Sequence, residues 1–202
     1  MKMRLMTFLI LLCLPLVMRV QAQEAAKKVE TITFAGGCFW CMEKPFEAIE
    51  GVTQVLSGYM GGHLQNPSYH DVSSGRSGHR EVVEVSYISS KVSVAKLLDV
   101  FWHNVNPTDA GGQFVDRGQQ YSTAIFYTTE AQKTQAIKSK EELEKSGKFS
   151  DKIVTPILVA TKFYPAEDYH QDYYKKNPIR YKFYRYNSGR DQYLEKVWGK
   201  SH

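Results

Sequence analysis

Gly36-Gly37-Cys38-Phe39-Trp40-Cys41-Met42-Glu43 is the stretch on which the reading of this chain turns. Upstream of it, Val29–Ala35 reads as a strand. Downstream, Phe39, Met42, Phe46 and Ile49 recur at helical spacing. The octet therefore joins a strand to a helix, with Cys38 at the helix start. Free amides and the helix dipole there favour a thiolate over a thiol. Gly36 and Gly37 let the backbone turn sharply and bring a substrate close. Phe39 and Trp40 read either as the walls of a small apolar pocket or as ordinary core packing.

Working outward, residues 39–50 form the first helix, with Pro45 inside it and Gly51 ending it. Residues 52–59 read as a strand. Residues 60–80, rich in Gly, Ser, His, Asn and Pro, read as a long loop, and loops of that length in a domain are usually functional. Residues 81–87 alternate and are β-branched, as a strand requires. Val94, Leu97, Leu98, Phe101, Trp102 and Val105 make an amphipathic helix. A second polar loop spans 107–119, followed by a strand at 121–127, a charged helix at 129–146, a strand at 153–163 and a short helix at 166–176. The tail from residue 179 is aromatic and basic with little periodicity. The order β-α-β-β-α-β predicts an α+β two-layer sandwich with a ferredoxin-like core, peripheral helices and a C-terminal tail.

The chain has 202 residues and a formal net charge of +5. Lys2 and Arg4 precede an apolar run at residues 5–17, and Val20-Gln21-Ala22 resembles a small-residue cleavage site. Residues 1–22 read as an export signal, and the second reading is an uncleaved anchor. The run is short for a membrane span. Leu12 stands before Cys13 where a lipid-attachment signal favours a small residue. The expected location is periplasmic or secreted, with residues 23–202 as one domain whose core covers about 30–198. Lys2, Arg4 and Arg19 lie in the signal with no acid beside them, so +2 remains without it, which is no case for nucleic acid. Cys38 and Cys41 are the two cysteines left. A bridge between them closes too short a loop to stabilise much, so the spacing points to redox chemistry.

The octet resembles the active-site signature of A-type peptide methionine sulfoxide reductases. Asn66-Pro67-Ser68-Tyr69, Gly78-His79-Arg80-Glu81-Val82-Val83, Asn106-Pro107-Thr108, Asp116-Arg117-Gly118-Gln119-Gln120-Tyr121 and Tyr164-Pro165-Ala166-Glu167-Asp168-Tyr169-His170-Gln171 follow in the family's order. The resemblance implies thiol-dependent reduction of the S epimer of methionine sulfoxide, free or in proteins, through a sulfenic acid. It implies Cys38 as nucleophile, Glu81 as general acid, Tyr69 and Tyr121 as donors to the sulfoxide oxygen, Asp116 as organiser of the pocket, and Phe39 and Trp40 as the seat of the methyl group. No prosthetic group is implied, and electrons come from a thioredoxin-like partner to what reads as a monomer.

Two departures from the family pattern stand out. Phe114 and Val115 stand before Asp116 where the family commonly has Gly and Asn, which makes that wall more apolar. The tail lacks the recycling cysteines common in the family. Cys41 then either resolves the Cys38 sulfenic acid or is inert packing while an external thiol does so. His63, His70, His79, His103 and His170 fit no compact metal-ligand set, and His79 and His170 read as partners of loops. The rival readings are a thiol–disulfide oxidoreductase, from the CxxC at a helix start, and a non-enzymatic binding module.

Overall fold

The computed structural model describes residues 28–200. The export segment read at residues 1–22 lies outside them. The strands are β1 (Val29–Ala35), β2 (Val52–Met60), β3 (Arg80–Ile88), β4 (Gly112–Gln113), β5 (Asp116–Arg117), β6 (Ala124–Tyr127), β7 (Ile157–Val159) and β8 (Tyr164–Pro165). The helices are α1 (Trp40–Glu47), α2 (Tyr69–Ser73), α3 (Val94–Trp102), α4 (Glu130–Lys145), α5 (Tyr173–Lys176), α6 (Pro178–Asn187) and α7 (Arg190–Trp198).

The main sheet runs β7-β6-β1-β3-β2-β8. In its inner four strands, β6-β1-β3-β2, each strand is antiparallel to its neighbours, and helices follow β1 and β3. This is the ferredoxin-like arrangement expected from the element order. β7 adds to β6 in parallel, and β8 pairs with β2.

β1 lies between two strands and is covered on both faces, so Ile32, Thr33, Phe34 and Ala35 are all buried. Phe34 binds the layers together. Its ring stacks on Phe46 of α1 at 4.9 Å and on Phe101 of α3 at 5.1 Å. α3 begins where Ser93 accepts the Lys96 amide and buries Leu97, Leu98 and Phe101 against the sheet. α4 packs outside α3, where the Trp102 indole donates to Ser139 at 2.8 Å. On the opposite face Met60, Val82, Ala124 and Phe126 form a smaller cluster under Leu158, Ala160 and Phe163.

Several local expectations change: the helix expected at 166–176 forms only at Tyr173–Lys176, and the strand expected at 121–127 begins at Ala124 after a tight turn at Gln119–Tyr121. The loop at 60–80 contains α2, stabilised by a capping box between Ser68 and Asp71. The loop at 107–119 contains the β4–β5 hairpin, turning through Phe114 at φ 58°. The strand expected at 153–163 shrinks to β7, because Pro156 cannot donate to a ladder. The tail is not loose: α6 and α7 occupy residues 178–198. α6 starts at Pro178, whose fixed φ suits the first helical turn. Among the described residues no helix is long and apolar enough to cross a membrane.

Candidate active site

The end of β1, the start of α1 and the first residues of β3 meet at one end of the sheet. Gly37 takes φ 83°, and a Cβ there would lie 2.6 Å from Cβ of Gln113. Only glycine fits that turn, and the turn delivers Cys38 to the helix start. Cys38 precedes α1, and the Cys41 amide donates to its carbonyl at 3.1 Å. Both cysteines are free thiols and both are buried, Cys38 at 6% exposure and Cys41 at 0%.

The charge on this pair differs from expectation. Burial pushes the Cys38 thiol well above its usual range; its hydrogen bond with Cys41 and the nearby Glu81 add to this. Cys41 moves down, first through the hydrogen bond with Cys38 and then through the charges of Arg190 and Arg185, against the effect of its own burial. Burial of the Cys38 sulfur thus works against the thiolate that a helix start favours, and the two hydrogen-bonded sulfurs titrate together.

Glu81 is 1% exposed, and its Oε2 accepts the Phe39 amide at 3.1 Å. It thus answers one of the free amides at the start of α1, a helix with no side-chain cap of its own. Burial pushes its carboxyl up to about 8, against the pull of the Phe39 amide. At neutral pH Glu81 holds its proton.

Tyr69 opens α2, and its amide donates to Glu167 at 2.8 Å. The Tyr59 hydroxyl donates to the same carboxylate at 2.8 Å. Tyr59 is the cross-strand partner of Glu81, so the register of β2 and β3 couples the two tyrosines to the acid. Burial raises the Tyr69 hydroxyl to about 12 and raises Tyr121 as well. Glu81, Asp116 and Cys38 act electrostatically on both tyrosines, which puts the five polar candidates in one neighbourhood. Asp116, raised by burial, accepts the Tyr184 hydroxyl of α6.

Phe39 is fully buried and packs on Tyr59 at 6.1 Å and on His170 at 5.0 Å. Trp40 stacks on Tyr173 at 3.7 Å, meets Tyr184 edge-on at 5.8 Å, and donates its indole N–H to His170 Nδ1 at 3.0 Å. The aromatic wall therefore has four more members than the sequence suggested. His170, in the turn before α5, bonds Trp40 of this wall rather than a loop, whereas His79 binds the loop, accepting from Gly62 and facing the Leu64 carbonyl at 2.8 Å. Phe114 packs on Tyr193 and the Arg190 guanidinium, and Val115 is 56% exposed, so neither forms the expected apolar wall. No group of three or more His, Cys, Asp or Glu among the described residues could hold a metal ion.

Sequence reading missed Tyr184, Arg190 and Glu43. Glu43 is fully buried, accepts Ser57 at 2.8 Å and the Asp172 amide at 3.2 Å, and is raised by burial to about 7. It fastens α1 to β2 and to the segment before α5. Tyr181, Tyr184 and Ser188 lie at helical spacing in the tail, but the exposed Ile179, Phe183 and Tyr186 among them blur that signal.

The family profile described as "Peptide methionine sulfoxide reductase" matches residues 30–202. The chain is 52% identical over 177 residues to a Bacillus licheniformis "Peptide methionine sulfoxide reductase MsrA", covering 88% of this chain and 98% of that protein. The protein of the same description from Bacillus subtilis is 52% identical over 174 residues, covering 86% and 98%. Among solved structures, reduced Mxr1 from Saccharomyces cerevisiae superimposes with a TM-score of 0.71 at 32% identity, covering 75% of this chain and 87% of that one. The methionine sulfoxide reductase A of Corynebacterium diphtheriae gives 0.66 at 31% identity, covering 75% and 76%.

Proposed function

Since the chain belongs to the peptide methionine sulfoxide reductase family and is a reductase of methionine sulfoxide, we propose that Cys38 is its nucleophile and Glu81 its general acid. The observation that carries this reading is a buried carboxyl, protonated at neutral pH, bonded to the amide of the residue after Cys38. A proton donor poised near the working pH is what departure of a sulfoxide oxygen needs.

The Cys38 proton passes to the Cys41 sulfur with which it is hydrogen-bonded, and the Cys38 thiolate attacks the substrate sulfur. Glu81 gives its proton to the oxygen, with Tyr69 and Tyr121 donating hydrogen bonds to it. Two electrons move from the Cys38 sulfur to the substrate sulfur. The oxygen ends on Cys38 as a sulfenic acid, and methionine leaves. Phe39 and Trp40 seat the methyl group, and Asp116 organises the far wall. Cys41 then attacks the Cys38 sulfur, releasing water and leaving a Cys38–Cys41 disulfide.

A thioredoxin-like dithiol returns two electrons to that disulfide; Mxr1 has been crystallised in complex with Trx2. The S epimer is the substrate, as the family resemblance implies. The basic start and apolar run of residues 1–22 support action on exported proteins.

Turnover of the two methionine sulfoxide epimers with dithiothreitol tests the reading. Wild type consumes the S epimer, and Cys38→Ser consumes neither. More than a trace of turnover by Cys38→Ser overturns the nucleophile, and equal use of the R epimer overturns the stereochemistry.

A further inference from the structure

Arg190 is the one lysine or arginine buried among the described residues, at 1% exposure. None of the ion pairs among those residues includes it. Its Nη2 donates to the Gly36 carbonyl at 2.8 Å. Its Nη1 donates to the Asn104 carbonyl and lies 3.6 Å from the Met42 sulfur. Nε has no partner, and the guanidinium stands 4.6 Å over the Phe114 ring. Every direct contact of this cation is with a neutral group.

A buried charge without a counter-charge is strongly unfavourable, so its persistence calls for an anion beside it. The groups facing the site narrow the choice. From β3, Glu81 is protonated at neutral pH. From β5, the Asp116 carboxylate accepts Tyr184 of α6 and is itself lowered by the Arg190 charge, so it shares that cation. The hydroxyls of Tyr69, Tyr121, Tyr181 and Tyr184 are all raised, and so neutral. Arg185 of α6 donates to the Cys41 carbonyl at 3.2 Å, but its charge is met by Asp191 at 2.8 Å. The thiol pair is the other group under that charge, with Cys38 next to the Gly36-Gly37 turn that Arg190 holds and Cys41 lowered by it.

We propose that Arg190 is a positioning residue for the thiol pair, pinning the Gly36–Gly37 turn from below and supplying the positive charge under which one of the two sulfurs is deprotonated. This rests on the reading that Cys38 and Cys41 form the redox pair. The planar fork matters as well as the charge, because Gly36 and Asn104 present two separate carbonyls to one guanidinium.

The test is the pH dependence of iodoacetamide alkylation, since the thiolate is the reactive form. It reads the thiols without any sulfoxide, so loss of this inference is distinguishable from loss of the reductase mechanism. Wild type is expected to show an alkylation midpoint below that of an ordinary thiol. Arg190→Met is expected to raise the midpoint by at least about one unit and to slow alkylation at pH 7 by about tenfold. The rates converge at high pH, and Arg190→Lys recovers part of the shift. Arg185→Met, which removes a charge already paired, shifts it less. A folded Arg190→Met with the wild-type midpoint overturns the proposal. If that variant does not fold, wild type decides: a midpoint at or above the ordinary thiol value means that no cation serves the pair.

Discussion

Tyr184 donates its hydroxyl hydrogen to the Asp116 carboxylate, tying α6 to the β4–β5 hairpin across 68 positions of sequence. The bond opposes the upward push of burial on Asp116. Tyr184→Phe removes the donor and leaves a half-buried carboxylate oxygen unanswered. The expected loss is about 1–3 kcal/mol at pH 7, read from urea unfolding. In the variant the folded-state pKa of Asp116 rises further above its unfolded value. The extra destabilisation is therefore full above the variant's folded value and fades as pH falls through the two raised folded values, below which both proteins hold the carboxyl protonated. A loss of equal size at pH 7 and pH 3.5 would mean that the hydrogen bond is not what the phenyl ring lacks.

Glu81 carries a second pH signature. Its carboxyl stands at about 8 in the fold against an ordinary 4.5. A raised acid stabilises the native state when protonated. That contribution is complete below the unfolded value and is lost as pH rises toward the folded one. Glu81→Gln stays neutral throughout, so its stability relative to wild type is expected to grow between pH 5 and pH 9. Single-turnover reduction by wild type should fall above about pH 8 as the acid loses its proton. The variant should lack that limb and run about 10²–10⁴-fold slower at pH 7. Near-normal turnover by Glu81→Gln removes the acid role.

Cys41 is fully buried beside Cys38, with Tyr173 and Tyr181 packed over it. One turnover of wild type without reductant is expected to consume two thiols per methionine formed. Cys41→Ser should complete a single turnover, accumulate sulfenic acid and lose recycling by a thioredoxin-like donor, with small thiols still rescuing it. Peptide mass mapping that finds Cys41 free after a full wild-type turnover would assign resolution to an external thiol.

Much of the frame was legible because its signals are local. Val94, Leu97, Leu98 and Phe101 announce α3 by spacing alone, and all four are buried. β3 alternates as a strand should. α6 hid itself for a physical reason: it is apolar on both sides. Tyr181 faces inward at 5% exposure, yet Ile179, Phe183 and Tyr186 are 83%, 73% and 68% exposed. Apolar residues on the wet face erase the contrast that defines an amphipathic period. β4 and β5, two residues each, are too short to alternate. At the site, Glu81, Tyr69, Tyr121 and Asp116 came from a family resemblance, since none is unusual by itself. The burial that opposes a Cys38 thiolate is not legible in the sequence, because burial is a property of the packed chain and no local pattern around Gly37 reports it.

The contact between Gly36 and Arg190 spans 154 positions, and this sets an order of events at the chain's birth. A polypeptide made at about 5–20 residues per second needs roughly 8–30 s to get from one to the other. For that interval both cysteines exist while α6 and α7, which supply Tyr181, Tyr184 and Arg190, have yet to be made. The nascent thiols are open to mispairing and to stray oxidants until the last two helices dock. Closure of the reactive centre thus depends on the part of the chain made last, and a chain truncated before residue 190 lacks the Arg190 contact that holds the turn before its cysteines.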